Sequence, residues 1–437
     1  MKIISIECFA DIGHIVRRPP RLVDMSEQYL LQNYDRYPLT VESGLGSYLF
    51  DAEGRRYLDM VSGLGVNAFG YSHPRLIAAM VKQAQRCVHT SNLVSHSYQG
   101  MLAERLCRIS SLDRVFFSNS GTEAMEAALK AVRVHAHATK NRLVALRGSF
   151  HGRTLGSLSV TGQPELRRRF EPFGVEVDFI AINDRAALEE AIGDRTAAMV
   201  LEPVLGEGGV YPLTVDFLQQ ARALTTRFGA LLIADETQCG LGRTGKYFAY
   251  QWANIRPDMA VTAKPLAAGL PLGATLFTAE AARLLPPHSH GSTFGGGPLA
   301  CCVALEFLAM LDEALPHICE TSNRFRQRLE GLKQRHPIVT EIRSKGLMFG
   351  IQLSRPGRPL VDAALQRGLL INCTQETVLR LLPPYNVQQD EIEEAVGKLD
   401  EVLGMPIAGS MAPTIYACRT ELPPARSSGS SVKPSMR

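Results

Sequence analysis

Apolar positions along this chain change period repeatedly, and each change marks an element. Val41 to Leu58 alternates apolar and polar positions around Asp51-Ala-Glu-Gly54, a period of two that predicts a β-hairpin. From His73-Pro74 the apolar residues Ile77, Met80 and Val81 recur at helical spacing. Val115-Phe116-Phe117 predicts a strand that runs into Ser118-Asn-Ser-Gly-Thr-Glu123, where Ser120 and Glu123 have capping-box spacing for a helix over Ala124–His135. Strands are predicted at Leu143–Leu146, Val177–Ile182 and Ala197–Leu201, with helices over Ala186–Ile192 and Val215–Phe228. Leu231–Ala234 is apolar without helical period and stops at Asp235. A second such run, Asp258-Met-Ala-Val-Thr-Ala, stops at Lys264. Runs of this kind are strands buried on both faces.

Strand and helix alternate at βαβ spacing, which predicts an α/β domain: a mostly parallel central sheet with helices on both faces. Pro271–Phe277 follows the Lys264 strand too soon for a helical crossover, so it should pair antiparallel. A long helix is expected from Pro298 to about Leu315. The pattern then becomes α+β, with strands at Glu341–Gly346, Leu347–Leu353, Leu369–Cys373 and Thr377–Leu382, and helices at Val361–Arg367 and Asp390–Leu403. These give a smaller α+β domain, joined by the N-terminal hairpin, with a crossing near the glycines of Ser62–Tyr71. The expected division is 1–21 as a poorly ordered extension, 22–70 and 311–404 as the small domain, 71–310 as the large one, and 405–437 as a disordered Ser/Gly/Pro-rich tail.

At 437 residues two domains are the expectation for this length. The net charge of +4 is carried by the ends: four Lys/Arg against two acids in 1–21, four against one in 404–437, leaving −1 for 22–403. That balance argues against a nucleic-acid partner. The longest apolar region, Met259–Leu285, is broken by Lys264, Pro265, Pro271 and Glu280, which argues against a membrane span. Nine Cys in no zinc or disulfide spacing read as reduced thiols of a cytoplasmic protein, with no metal site.

In open α/β sheets ligands gather at the carboxyl ends of strands. Here an acid, Asp235, ends one strand and an amine, Lys264, ends another. Pyridoxal phosphate requires that pair: a Lys to bind it covalently and an acid against its ring nitrogen. Taken singly, Asp235 also suits a turn or a cap, and Lys264 a solvated charge. The turn holding Ser118, Ser120, Gly121 and Thr122 suits either a plain cap or an anion held by free N–H groups.

Seven segments in order, FFSNSGTEA, SFHGRT, EPVLGEGG, IADETQCGLGRTG, TAK, GSTFGG and LRLLPP, resemble the class III pyridoxal-phosphate-dependent aminotransferases of fold type I, most of all their acetylornithine branch. The resemblance covers roughly residues 22–403 and implies pyridoxal 5′-phosphate as cofactor. Lys264 would hold the cofactor and carry the proton, and Asp235 would face the ring nitrogen. Gln238 would sit near the ring hydroxyl and Phe150 on the ring face. Ser120, Gly121 and Thr122 would form the phosphate cup, completed by Thr293 of a neighbouring subunit, which implies a homodimer with shared sites. Arg380 would take the α-carboxylate, Glu207 would neutralise it in turn, and Arg153 and Ser292 would add substrate contacts. The implied reaction moves the terminal amine of N-acetylornithine to 2-oxoglutarate in arginine biosynthesis. Ornithine, succinylornithine, 4-aminobutyrate and carrier-linked lysine are the other donors in view, and an inactive cofactor-binding relative is the reading outside the enzyme class. Pro265, Ala267-Ala268 and Gly297 depart from the family pattern, and Pro265 is expected to bias Lys264 toward extended backbone.

Overall fold

The computed structural model describes residues 29–405, so the expected N-terminal extension and the expected tail beyond 405 lie outside the described residues. β1 (Val41–Leu45), β2 (Tyr48–Asp51) and β3 (Arg56–Asp59) pair antiparallel in sequence. Asp51 closes the β2–β3 turn, its Oδ1 accepting from the N–H groups of Glu53 and Arg55. α1 (Pro74–Ala84) follows, started by Pro74. α2 (Ser97–Ser110) is an element that the apolar pattern passes over. Only Leu102, Leu106 and Ile109 form its buried apolar seam, which is too narrow to stand out among Gln, Glu and Arg.

β4 (Arg114–Ser118), α3 (Gly121–His135), β5 (Arg142–Leu146), β6 (Glu176–Ile180), α4 (Arg185–Ala191), β7 (Thr196–Leu201), α5 (Val215–Arg227), β8 (Leu231–Asp235), β9 (Met259–Thr262) and β10 (Gly273–Phe277) form the central α/β part of the chain. Its sheet has seven strands in the order β4-β10-β9-β8-β7-β5-β6. β10 runs antiparallel to both neighbours, as its short connection requires, and the other six share one direction. All six residues of β7 are buried, the mark of a strand covered on both faces.

α6 (Pro298–Arg335) runs twenty residues past the expected end, straight through Pro316. A proline inside a helix removes one hydrogen bond and crowds the preceding turn. Here Ile318, Phe325, Leu329 and Leu332 are buried beyond it, and that burial carries the helix on. β11 (Val339–Ser344), β12 (Phe349–Leu353), α7 (Arg358–Gln366), β13 (Leu369–Leu370), β14 (Asn372–Thr374), β15 (Val378–Leu381) and α8 (Gln389–Leu403) complete the fold. β11-β12-β15-β14 form an antiparallel sheet, while β13 pairs parallel with β3. The single strand expected over Leu369–Cys373 is thus two strands in two sheets, with the chain switching at the buried Ile371. One apolar cluster contains Leu276 of β10, Phe307 of α6, Phe349 of β12 and Leu399 of α8, so the core continues across α6.

Candidate active site

Because β4, β5, β7, β8 and β9 point the same way, the loops that leave their carboxyl ends converge. Asn119–Thr122 follow β4, Phe150–Arg153 follow β5, Glu202 and Glu207 follow β7, Thr237 and Gln238 follow β8, and Lys264 follows β9. With Asp235 at the end of β8 they line one cavity of about 480 Å³. Nine of the residues singled out from sequence share it: Ser120, Gly121, Thr122, Phe150, Arg153, Glu207, Asp235, Gln238 and Lys264. Arg380 lies on β15 behind Glu207 and Gln238 and does not line it. Ser292 and Thr293 line a neighbouring cleft of about 900 Å³. Ser292 Oγ reaches this site indirectly, accepting from the side-chain amide of Asn119 at 3.3 Å.

Asp235 is buried and held on both oxygens. Oδ1 accepts from the N–H of Thr237 at 3.0 Å, and Oδ2 accepts from Nδ1 of His151 at 2.8 Å. His151 is the residue that sequence reasoning left without a role, although it stands within S-F-H-G-R-T. Its partner is 84 positions away, and no local spacing links the two. Beside them Glu202 accepts from the N–H groups of Phe150 and Gly206. Burial pushes the Glu202 carboxyl up to about 7, with His151 pulling it down and Asp235 pushing it up.

Lys264 opens a short 3₁₀ turn, Lys264–Ala267, with φ of +31°. This corrects the expectation of extended backbone. Pro265 makes the right-handed helical region costly for the residue before it, but the packed turn holds Lys264 in the sparsely populated left-handed side instead. Strain of that kind costs on the order of 1–3 kcal/mol and persists only where surrounding packing enforces it. Burial lowers the affinity of the Lys264 amine for its proton; Glu207 opposes the shift and Arg380 adds to it.

Arg380 is fully buried and donates from Nη1 to Glu207 Oε1 at 2.7 Å and to Gln238 Oε1 at 3.1 Å. Burial alone would raise the Glu207 carboxyl, but the attraction of Arg380 and Lys264 holds it below its ordinary value. Nη2 of Arg380 is buried with no hydrogen-bond partner among the described residues. Arg153 is exposed at the mouth, its guanidinium 5.6 Å from the centre of the Phe150 ring.

At the start of α3, Ser120 Oγ accepts from the N–H of Glu123 at 3.3 Å. The reciprocal half of the expected capping box is displaced: Glu123 Oε2 accepts from the N–H of Asn119, not of Ser120, at 2.9 Å. The helix begins at Gly121, three residues earlier than the pattern predicts. A Cβ on Gly121 would stand 2.7 Å from Cγ2 of Thr237, so any larger residue there would have to push the Thr237 side chain aside.

These residues suit pyridoxal phosphate. The first N–H groups of a helix have no partner inside it and favour an anion. A buried carboxylate clamped by an imidazole suits a ring nitrogen, and a buried amine suits a covalent link. Thr237 Oγ1 and His151 Nε2 are also buried without partners among the described residues, as expected where a polar group completes the site.

The sequence profile described as Aminotransferase class-III matches residues 29–403. The chain is 40% identical over 386 residues to the acetylornithine aminotransferase of Methanocaldococcus jannaschii, covering 87% of this chain and 97% of that protein. Among solved structures it is similar to an ornithine aminotransferase from Toxoplasma gondii described with partial occupancy of PLP at its active site. That likeness has a TM-score of 0.83 and 31% identity, over 87% of this chain and 92% of that one. It is also similar to N-acetylornithine aminotransferase from Stenotrophomonas maltophilia K279a, with a TM-score of 0.76 and 33% identity over 87% and 98% of the two chains.

Proposed function

This chain belongs to the class-III aminotransferases, and from that premise we propose that it moves the terminal amine of N-acetylornithine to 2-oxoglutarate, yielding glutamate and a semialdehyde for arginine biosynthesis. It is a pyridoxal-phosphate-dependent aminotransferase. The cofactor, when bound, supplies an electron sink for the charge left on the donor carbon. In this reading Lys264 Nζ holds the cofactor and, with its ammonium form disfavoured by burial, takes a proton from that carbon. Asp235, oriented by His151, would face the ring nitrogen. Gln238 would hold the ring hydroxyl and Phe150 would pack on the ring. Ser120, Gly121 and Thr122 would hold the phosphate.

The observation that carries the donor assignment is the Glu207–Arg380 pair beside Lys264, with Arg153 at the mouth. A donor that reacts through its terminal amine holds its carboxylate far from the reacting nitrogen, whereas glutamate reacts through its α-amine. Two guanidinium groups at different depths, one of which Glu207 can neutralise, let a single site accept both. A guanidinium also meets a carboxylate bidentately, and Ser292 adds a polar contact through Asn119. Acylation of the donor's α-nitrogen removes a cation that would otherwise face Arg153.

We assign the working form as a cytoplasmic homodimer in which Thr293 of each subunit completes the other's phosphate cup. Leu93 is 94% exposed and lines the same cleft as Thr293. Val88 and Phe294, also exposed, line an adjoining apolar cleft of about 520 Å³. Apolar exposure on this scale supports an interface. Among the described residues no helix is long and apolar enough to cross a membrane, and the seven cysteines there are unpaired, which supports a reducing compartment.

The test is a donor panel with 2-oxoglutarate, reading glutamate formed. N-acetylornithine is expected to exceed free ornithine and 4-aminobutyrate in kcat/KM. Free ornithine in first place would move the assignment to ornithine aminotransferase, whose solved examples share this fold. 4-Aminobutyrate in first place would mean that the pocket does not read the α-substituents.

A further inference from the structure

Thr122 and Glu126 stand one turn apart on the same face of α3. The segment from Phe150 to Ser157 lies along that face. Thr122 Oγ1 is 2.9 Å from Thr154 Oγ1 and 2.7 Å from Ser157 Oγ, and those two hydroxyls are 2.8 Å from each other. Thr122 Oγ1 also accepts from the N–H groups of Arg153 and Thr154, both at 3.3 Å. Glu126 Oε1 closes the cluster, accepting from the Thr154 hydroxyl and from the N–H of Ser157 at 3.0 Å. Two glycines make room for this packing. A Cβ on Gly156 would meet Glu126 Oε2 at 2.3 Å, and one on Gly152 would meet Thr122 Oγ1 at 2.3 Å.

Each hydroxyl has one proton to give, and a carboxylate can only accept. Glu126 therefore draws the Thr154 proton to itself. Thr154 Oγ1 is left as an acceptor only, so any hydrogen bond it makes to Thr122 or Ser157 is donated by those residues, and the Ser157 hydroxyl also has the Thr154 carbonyl as an acceptor at 3.2 Å. Without the carboxylate the Thr154 hydroxyl and the Ser157 N–H lose their acceptor, and the segment is held to α3 only through Thr122, which accepts from the N–H groups of Arg153 and Thr154. We propose that Glu126, which does not line the cavity, is a positioning residue for the segment that presents Arg153 to the substrate. The consequence for substrate rests on the reading of Arg153 as a carboxylate contact; the positioning itself does not.

The test uses the holoenzyme and the variants Glu126→Ala, Glu126→Gln and Arg153→Ala. Hydrogen exchange of the peptide spanning 150–158 reads the positioning directly. Glu126→Ala is expected to speed exchange there by roughly tenfold, the loss that one charge-assisted hydrogen bond produces. Glu126→Gln, which keeps an acceptor oxygen, should restore most of the protection. KM for N-acetylornithine should rise about tenfold in Glu126→Ala with kcat little changed. The half-reaction with butylamine, a donor with no carboxylate, should be unaffected, as should the cofactor absorbance titration of the apoprotein. Unchanged exchange in Glu126→Ala overturns the proposal. So does an equal loss with butylamine or weakened cofactor binding, because Glu126 would then support the phosphate cup. Faster exchange without a KM change, while Arg153→Ala raises KM, overturns its role in substrate binding. If Arg153→Ala itself leaves KM unchanged, the reading of Arg153 fails and Glu126 is judged by exchange alone.

Discussion

At the scale of single residues, the site depends on charges taken out of water and then paired. Asp235 keeps its place through one imidazole and one backbone N–H. Asp235→Asn is expected to retain cofactor but lower the transamination rate by about ten- to a hundredfold, the range for losing one charge-assisted contact; turnover at the parent rate would remove Asp235 from its assigned role. The adjacent Glu236 is also buried, and its carboxylate oxygens accept from the N–H groups of Ala249 and Tyr250. Burial pushes its pKa up to about 7, against an ordinary value of 4.5. The folded state therefore holds this proton where the unfolded chain releases it. Stability from this group is complete below about pH 4.5 and is lost as pH rises through about 7. Glu236→Gln is expected to lower the urea midpoint at every pH, because one backbone N–H then faces an amide donor, and to flatten its decline between pH 5 and 8. A decline as steep as the parent's would show that another group titrates.

At the scale of elements, the decisive junction is the start of α3 against the loop after β8. Gly121 packs there against Thr237, whose Cγ2 would stand 2.7 Å from an added Cβ. Gly121→Ala should cost about 1–3 kcal/mol through overpacking and weaken the apoprotein's affinity for pyridoxal phosphate roughly tenfold as the N–H groups shift. Thr237→Ala in the same chain should recover part of both losses, read as thermal midpoint and absorbance titration. A single variant with normal midpoint and affinity would mean the helix start adapts freely. The same junction explains why a cap was readable in sequence but its partner was not. Ser120 and Glu123 have the right spacing, yet Glu123 turns to Asn119 because the amide there offers two donors at once, backbone and side chain.

For the whole molecule, the exposed apolar residues around the site give the proposed dimer a specific test. Leu93→Asp puts a charge at a position 94% exposed in the single chain, so it should leave the isolated fold intact while shifting sedimentation from dimer to monomer and lowering cofactor retention. A dimer of parent stability would place the interface elsewhere. The domain boundary proposed at residue 310 falls within α6, an unbroken helix whose buried apolar residues from Cys301 to Leu332 belong to one core cluster; the two parts therefore share a core element rather than a linker. Much of this was legible without coordinates. Strand runs that stop at Asp235 and Lys264, and a hydroxyl-rich turn before a helical run, are local signals, since burial on both faces leaves an apolar run and chemistry begins where it ends. Pairing between distant residues is not local. His151 meets Asp235, and Arg380 meets Glu207 across 173 positions, because β5, β8 and β15 are brought together by packing that no window of the chain contains. Only the folded chain decides the left-handed backbone of Lys264 and the passage of α6 through Pro316: local preference opposes both, and burial of the surrounding side chains outweighs it.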